Sequence, residues 1–123
     1  METIRSVAQK VFDLLGTGLE PKVYIDAMKI GLQLEEQMFE EGREWPILYD
    51  GFSIGHTVGA DLLVNQEVVV LVRVDDEDMF DYSEIRRILR VSEVKYGIVL
   101  NFGEDRLGVL ETSVDGNVKV KYQ

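Results

Sequence analysis

The sequence predicts a single α+β domain in which helices flank one mixed β-sheet. Two segments with helical spacing open the chain, segments with period-two spacing follow from residue 45, and a third helical segment separates the last strands. The 123 residues are 46% hydrophobic and 29% charged, which suits one domain with one core. Since no stretch rich in Gly, Pro and Ser interrupts the chain, we expect residues 1–123 to fold as one unit.

Two amphipathic helices are expected at the start. Apolar side chains recur every three or four residues in 4–15, and Gly16-Thr17-Gly18 ends that pattern. Pro21 suits the first turn of a helix, and the same spacing continues from there to Met38. The sequence therefore predicts a second, longer helix that ends before Glu40-Glu41-Gly42.

A hairpin is expected after the second helix. Asp50-Gly51 is a strong signal for a tight turn, and apolar residues alternate on both sides of it. Trp45, Tyr49 and Phe52 are among these residues. We expect their aromatic side chains to be buried under a helix rather than to form a patch for a partner, because alternation in a hairpin more often reflects a covered face.

A second hairpin is expected at Asn65-Gln66, between strands in 58–64 and 67–74. The later strand is apolar on both faces, which is typical of an inner strand. The acidic run Asp75-Asp76-Glu77-Asp78 leads into a third helix over 82–91, whose positive start favours acids. The remaining strands are expected at 96–102, 107–112 and 118–122, the last two joined by a turn at Asp115-Gly116-Asn117.

Composition limits the partners. Thirteen Lys and Arg against 23 Asp and Glu give a formal charge of −10, so phosphate backbones and anionic membranes are repelled on average. The main basic cluster lies on the third helix and just after it, mixed with glutamates, which is typical of a solvated helix face. Its members are Arg86, Arg87, Arg90 and Lys95. Nucleic acid is therefore not an expected partner.

The location is predicted from three features of the chain. It has no cysteine, which excludes disulfides and cysteine-ligated metal sites. Residues 1–10 alternate charged and apolar side chains instead of forming the apolar region of a signal peptide. The aliphatic run 68–72 is too short to span a bilayer. We therefore expect a cytoplasmic protein without a membrane segment.

A set of short motifs in a fixed order extends through nearly the whole chain. They are Leu15-Gly16-Thr17-Gly18, Val23-Tyr24, Ala27-Met28, and the segments 46–51, 60–64, 68–70 and 97–103, the last of which ends in Asn101-Phe102-Gly103. In this order and spacing the chain resembles the GxxExxY proteins, a family of the PD-(D/E)xK nuclease-like superfamily. The resemblance implies that superfamily's mixed β-sheet flanked by helices.

The resemblance also implies where a catalytic site would lie. In active members, an Asp on one strand and a Glu-x-Lys on the next hold a divalent metal and position the attacking water. Asp61 matches the first Asp, whereas Leu71 and Arg73 stand at the positions of the Glu and the Lys. Leu71 and Arg73 share one face of their strand, so Asp61, on the neighbouring strand, is the expected partner of the Arg73 charge.

Two further positions differ from the pattern of the family. Pro21 stands where the GxxExxY motif has its Glu, with Glu20 beside it, and Glu84 stands where a Gln is usual. Arg73 does not replace a catalytic lysine, because a guanidinium is bulkier than an ammonium and stays protonated. We therefore expect a catalytically inactive nuclease-fold domain that acts through protein contacts, with no metal and no cofactor.

An alternative stays open at this point. It is a divergent DNA nuclease that uses Mg²⁺ or Mn²⁺ held by Asp61 with Glu20 or Glu84. Glu20 and Tyr24 are also candidates for a pocket at the second helix, although a Tyr at helical spacing is more often part of the core. His56, the only histidine, is expected to be a surface or structural residue. A homodimer is expected, because the sheet and its final hairpin leave edges that a symmetric partner commonly covers.

Overall fold

The computed structural model describes residues 1–75 and 82–114, and the backbone of residues 118–122. The predicted turn at Asp115-Gly116-Asn117, and the acidic run beyond Asp75, lie outside the described residues. Among the described residues, no helix has the length and apolar composition that crossing a membrane requires. The elements in chain order are α1 (Glu2–Leu15), α2 (Pro21–Leu34), β1 (Phe39–Glu41), β2 (Glu44–Tyr49), β3 (Phe52–Gly59), β4 (Leu62–Val64), β5 (Val68–Arg73), α3 (Ser83–Ser92), β6 (Tyr96–Asn101), β7 (Gly108–Ser113) and β8 (Val118–Tyr122).

A six-stranded mixed sheet, in the order β1-β4-β5-β6-β7-β8, forms the centre of the fold. β5 and β6 are parallel, with α3 between them in the chain, whereas the other neighbouring strands are antiparallel. The predicted fold class, a mixed sheet flanked by helices, is confirmed. The predicted inner position of β5 is also confirmed, since it lies between β4 and β6.

α2 ends at Leu34, so the prediction that it continues to Met38 is wrong. The chain leaves the helix through Glu36, whose φ of 58° lies in the left-handed region. The backbone N–H of Gln37 then donates to the carbonyl of Leu32 at 2.9 Å, which closes a Schellman motif. Glycine usually provides this turn, so a glutamate there gave no sign of the helix end.

The strands differ from the prediction at two places. The sequence does not predict β1, a three-residue strand that pairs with β4. Residues 58–64 do not form one strand, because β3 ends at Gly59 and β4 begins at Leu62 in the other sheet. The chain bends between them at Ala60-Asp61, where backbone groups bond to those of Gly42-Arg43.

The sheet buries side chains on both faces. α1 and α2 cover the face that includes Val70 and Val72. α3 covers the opposite face, where Ile85 belongs to the same apolar cluster as Leu71. The close approach of α3 depends on Gly97, since a Cβ there would lie 2.6 Å from Cγ1 of Ile85.

β2 and β3 form a separate hairpin with the predicted turn at Asp50-Gly51. Trp45, at its base, is partly buried against the cluster under α3. Tyr49 and Phe52, near the tip, are 75% and 74% exposed, so the prediction that they are buried is wrong. A bulge separates the base from the tip, and alternation shows which side chains share a face but not whether that face is covered. His56, in β3, is exposed.

Ion pairs join the helices to the sheet. Glu41 of β1 accepts hydrogen bonds from two lysines of α2, at 2.7 Å from Lys22 and 2.6 Å from Lys29. On the same face of the sheet, Arg5 of α1 pairs with the buried Glu111 of β7. These contacts fix α2 against the edge strand β1 and α1 against β7, near the other edge of the sheet.

Candidate functional site

The guanidinium of Arg73 lies between two carboxylates. Its Nη1 donates to Oδ2 of Asp61 at 3.2 Å and to the carbonyl of Val72 at 2.8 Å. Its Nη2 donates to Oε1 of Glu84 at 2.6 Å. The predicted pair of Arg73 and Asp61 is therefore present, and Glu84 is a second partner that the sequence did not indicate.

Three elements bring these side chains together. Arg73 is the last residue of β5, Asp61 comes directly before β4, and Glu84 lies in the first turn of α3. Because β4 and β5 are antiparallel neighbours, the start of one lies beside the end of the other. The backbone N–H of Val72 donates to Oδ2 of Asp61 at 2.8 Å, just outside the ladder, which begins with the pair of Leu62 and Val70. Asp61 is therefore fixed to β5 by a backbone bond as well as by Arg73.

Leu71 faces the apolar core under α3. Its side chain is 2% exposed and belongs to a cluster with Ile85, Leu89 and Val99. In the strand it precedes Arg73 by two residues and therefore shares its face. The position that the resemblance assigns to a metal-binding Glu thus holds an aliphatic side chain packed among other aliphatic side chains.

Asn101 fixes the chain that follows Arg73. Its Oδ1 accepts hydrogen bonds from the backbone N–H groups of Asp75 at 2.9 Å and Gly103 at 3.0 Å. Its Nδ2 donates to the carbonyl of Asp75 at 3.1 Å. A Cβ at Gly103 would lie 2.1 Å from that carbonyl oxygen, so only glycine fits there. The Asn101-Phe102-Gly103 motif therefore shapes the border of the site, a role that sequence reasoning did not assign.

Tyr24 belongs to the core and supports the loop between α1 and α2. Its ring is fully buried and stacks on Phe102, with the ring centroids 4.2 Å apart. Its hydroxyl donates to the carbonyl of Gly16 at 2.8 Å and accepts from the backbone N–H of Leu19 at 3.1 Å. Glu20 is exposed before the first residue of α2, which is Pro21. The hydrogen bonds of Tyr24 thus run to the loop rather than to Arg73.

The electrostatics of the site keep Arg73 charged. Burial alone would lower the pKa of Arg73, but the hydrogen bond and charge of Glu84 and the charge of Asp61 raise it, and the net shift is upward. The side chains of Arg73 and Asp61 are each 30% exposed, and that of Glu84 is 47% exposed. Water therefore reaches the site, and the cation in it is permanent.

Comparison with known proteins agrees with this architecture. A family model described as the PD-(D/E)XK nuclease superfamily matches residues 1–111. The chain belongs to this superfamily. A search of curated proteins and a search of solved structures gave no match.

The donor set does not suit the divalent metal that the superfamily implies. Asp61 already accepts hydrogen bonds from Arg73 and from a backbone N–H, and the side chain of Leu71 has no oxygen that could bind a metal. Within the described residues, no group of three or more His, Asp or Glu side chains could hold a metal ion. Mg²⁺ needs several oxygen ligands, and a fixed guanidinium between the two carboxylates repels it.

Proposed function

We propose that this chain is a catalytically inactive nuclease-fold domain of the GxxExxY type that acts through contacts with other proteins. One observation supports the proposal above all others. The guanidinium of Arg73 binds Asp61 and Glu84, so the carboxylates that could hold a metal neutralise an internal cation. In this proposal, the guanidinium of Arg73 occupies the place that a divalent metal has in active members of the superfamily.

The chemistry of phosphodiester cleavage supports the same conclusion. Cleavage in this superfamily needs a Lewis acid and a group that helps to activate water. Arg73 cannot take a proton from water, because its pKa is raised further by its two partners. Leu71 adds neither charge nor a hydrogen-bonding group. Neither requirement is met by these side chains.

The alternative is a divergent nuclease, and one observation favours a specific form of it. Asp61 and Glu84 contact the same guanidinium, so they are the two carboxylates that a metal would share if it displaced Arg73. Glu20 is exposed at the start of α2 and has no contact with this cluster among the hydrogen bonds of the described residues. A form that uses Asp61 with Glu84 is therefore the alternative to test.

A nuclease assay separates the two functions. The full chain is incubated with linear, nicked and single-stranded DNA in Mg²⁺ or Mn²⁺, and we expect no cleavage above a metal-free control. Asp61→Ala is the matched variant, since contaminating nuclease activity would persist in it. Metal-dependent cleavage that is lost in both Asp61→Ala and Glu84→Ala would establish the divergent nuclease and refute the proposal.

A further inference from the structure

α1 and α2 expose an apolar surface on the side that faces away from the sheet. Leu14 and Leu34 are each 74% exposed, and Ile30 is 61% exposed. Leu15 beside them is 41% exposed. Scattered exposed leucines are ordinary, but these side chains border one groove. We call the groove and its walls the helix-pair face.

The groove of the helix-pair face has a volume of about 390 Å³. Its floor is formed where the helices touch: a Cβ at Gly31 would lie 2.4 Å from Cγ1 of Val7, so these two residues are in close contact. The full lining is Ser6, Val7, Lys10, Val11, Leu14, Leu15, Ala27, Ile30, Gly31, Leu34 and Glu35. All but three of these residues are aliphatic or glycine, and only two are charged.

The two charged residues lie on opposite walls. Lys10 is three residues beyond Val7 on α1, and Glu35 is four residues beyond Gly31 at the end of α2. Because only residues 16–20 join the helices, α1 and α2 run in opposite directions. Lys10 and Glu35 are therefore displaced in opposite directions from the Val7–Gly31 contact, by similar distances of roughly 5 and 6 Å at 1.5 Å per residue.

We propose that the helix-pair face binds a second copy of this chain through a two-fold axis. An axis that lies in the plane of this face, passes the Val7–Gly31 contact and is perpendicular to the line from Lys10 to Glu35 brings Lys10 of each copy beside Glu35 of the other. The face is thus complementary to itself in charge and apolar at its centre, as the interface of a symmetric dimer requires.

The size of the face is compatible with a dimer. Each helix has 14 residues, so it is roughly 21 Å long and about 10 Å wide, and the pair presents about 400 Å² in projection. Side chains that protrude as far as Leu14 and Leu34 make the accessible area larger than its projection. A standard interface buries about 800 Å² on each partner. The helix-pair face thus accounts for roughly half of that area, as the apolar centre of the interface, and the surface around it forms the rim.

This inference rests on the proposed function, because it names one of the protein contacts through which an inactive domain acts. The hairpin tip, which carries Tyr49 and Phe52, is another exposed apolar patch. It lies on the hairpin that packs with α3, on the side of the sheet opposite α1 and α2. The tip therefore provides a matched control surface.

Sedimentation equilibrium of the full chain tests the helix-pair face. We expect a dimer at micromolar concentration, and we expect Ile30→Glu and Leu34→Glu each to raise the dissociation constant at least tenfold. Phe52→Ser is expected to leave the dimer intact. Circular dichroism shows whether each variant remains folded. A monomeric wild-type chain at 200 µM, chosen as roughly a hundredfold above a micromolar constant, would overturn the inference, and so would a dimer lost only in Phe52→Ser.

A mixing experiment tests the two-fold pairing itself. Lys10→Glu places two glutamates opposite each other at both ends of the interface, and Glu35→Lys places two lysines there, so each variant alone is expected to dissociate more readily. Mixed together, one copy of each restores two pairs of opposite charge, and we expect a heterodimer of nearly wild-type affinity. Two variants that weaken the dimer but do not recover on mixing would refute this axis.

The salt dependence of the dimer tests whether its interface has an apolar centre. Two chains of charge −10 repel each other, so added salt is expected to leave the dimer unchanged or strengthen it. A dimer that dissociates as salt is raised would contradict an interface with an apolar centre. DNA cleavage is measured separately, so a monomeric chain without nuclease activity would refute the helix-pair face while leaving the proposed inactivity intact.

Discussion

Replacing Arg73 by Met tests whether the cation holds the site together. The substitution keeps an unbranched apolar stem and removes the guanidinium with its charge, so Asp61 loses its ion-pair partner but keeps the backbone N–H of Val72. Glu84 loses its hydrogen bond as well, but it is 47% exposed and can turn to water. The loss of stability should therefore come mainly from Asp61.

The size of the effect follows from the exposure of the pair. Breaking a fully buried pair costs about 3–5 kcal/mol, whereas an exposed pair contributes about 0–1 kcal/mol. Asp61 and Arg73 are each 30% exposed, so water screens part of their interaction. We expect Arg73→Met to lower the free energy of unfolding by about 1.5–2 kcal/mol, and Glu84→Gln by about 0.5 kcal/mol.

A double-mutant cycle in urea isolates the pair. Asp61→Leu removes both the charge and the acceptor for the backbone N–H of Val72. Asp61→Asn removes the charge but keeps an oxygen that can accept this hydrogen bond. The Leu variant should therefore be less stable than the Asn variant by about 1 kcal/mol. Arg73→Met combined with Asp61→Leu should recover part of the summed loss, a coupling of about 1 kcal/mol. Losses that add to within roughly 0.3 kcal/mol would show that the two side chains do not interact in solution.

Three further predictions concern contacts that hold the fold together around the site. Hydrogen bonds from Lys22 and then Lys29 lower the pKa of Glu41 to about 2. The stabilisation from this ionised carboxylate is therefore present above its ordinary pKa of 4.5 and is lost as the pH falls towards 2. The urea midpoints of the wild type and of Glu41→Gln should converge at pH 2. Gly103→Ala forces a Cβ against the carbonyl of Asp75 and should cost at least about 2 kcal/mol in urea unfolding. Tyr24→Phe removes the hydroxyl that bridges the loop before α2 and should cost about 1–2 kcal/mol in the same assay.

Matched controls exist for these variants. Gly59→Ala meets only ordinary contacts near 3.4 Å, so it should be close to neutral where Gly103→Ala is not. A neutral Gly103→Ala would contradict the close approach of the two loops. A Glu41→Gln variant that differs from wild type by the same amount at pH 2 and pH 7 would show that the ionised carboxylate does not stabilise the fold.

Local signals in the sequence were reliable where the structure depends on neighbours in the chain. Asp50-Gly51 and Asn65-Gln66 have positive φ at both turn residues, which is the geometry that these tight turns need. β5 was predicted to be an inner strand because its residues are apolar on both faces. The ion pair of Arg73 and Asp61 was predicted because a cation in a largely apolar sheet needs an anion and Asp61 is on the neighbouring strand.

Other features depend on residues that are distant in the sequence. β1 forms because Phe39 pairs with Val64, 25 positions away, and its own three residues carry no strand pattern. Glu84 reaches Arg73 only because α3 begins beside the end of β5. Tyr49 and Phe52 are exposed because nothing among the described residues covers the hairpin tip, which their alternating pattern cannot show.

The stability of the chain in Mn²⁺ tests most directly whether Arg73 has replaced the metal. A site with a dissociation constant of about 10 µM would stabilise the folded chain by about 2.7 kcal/mol at about 1 mM free Mn²⁺. We predict that the urea unfolding midpoint of the wild-type chain does not change between a chelator and 1 mM Mn²⁺, the concentration taken as roughly a hundredfold above that constant. A stabilisation of that size in the wild type, absent in Asp61→Ala, would show that Asp61 holds a metal and would contradict the account.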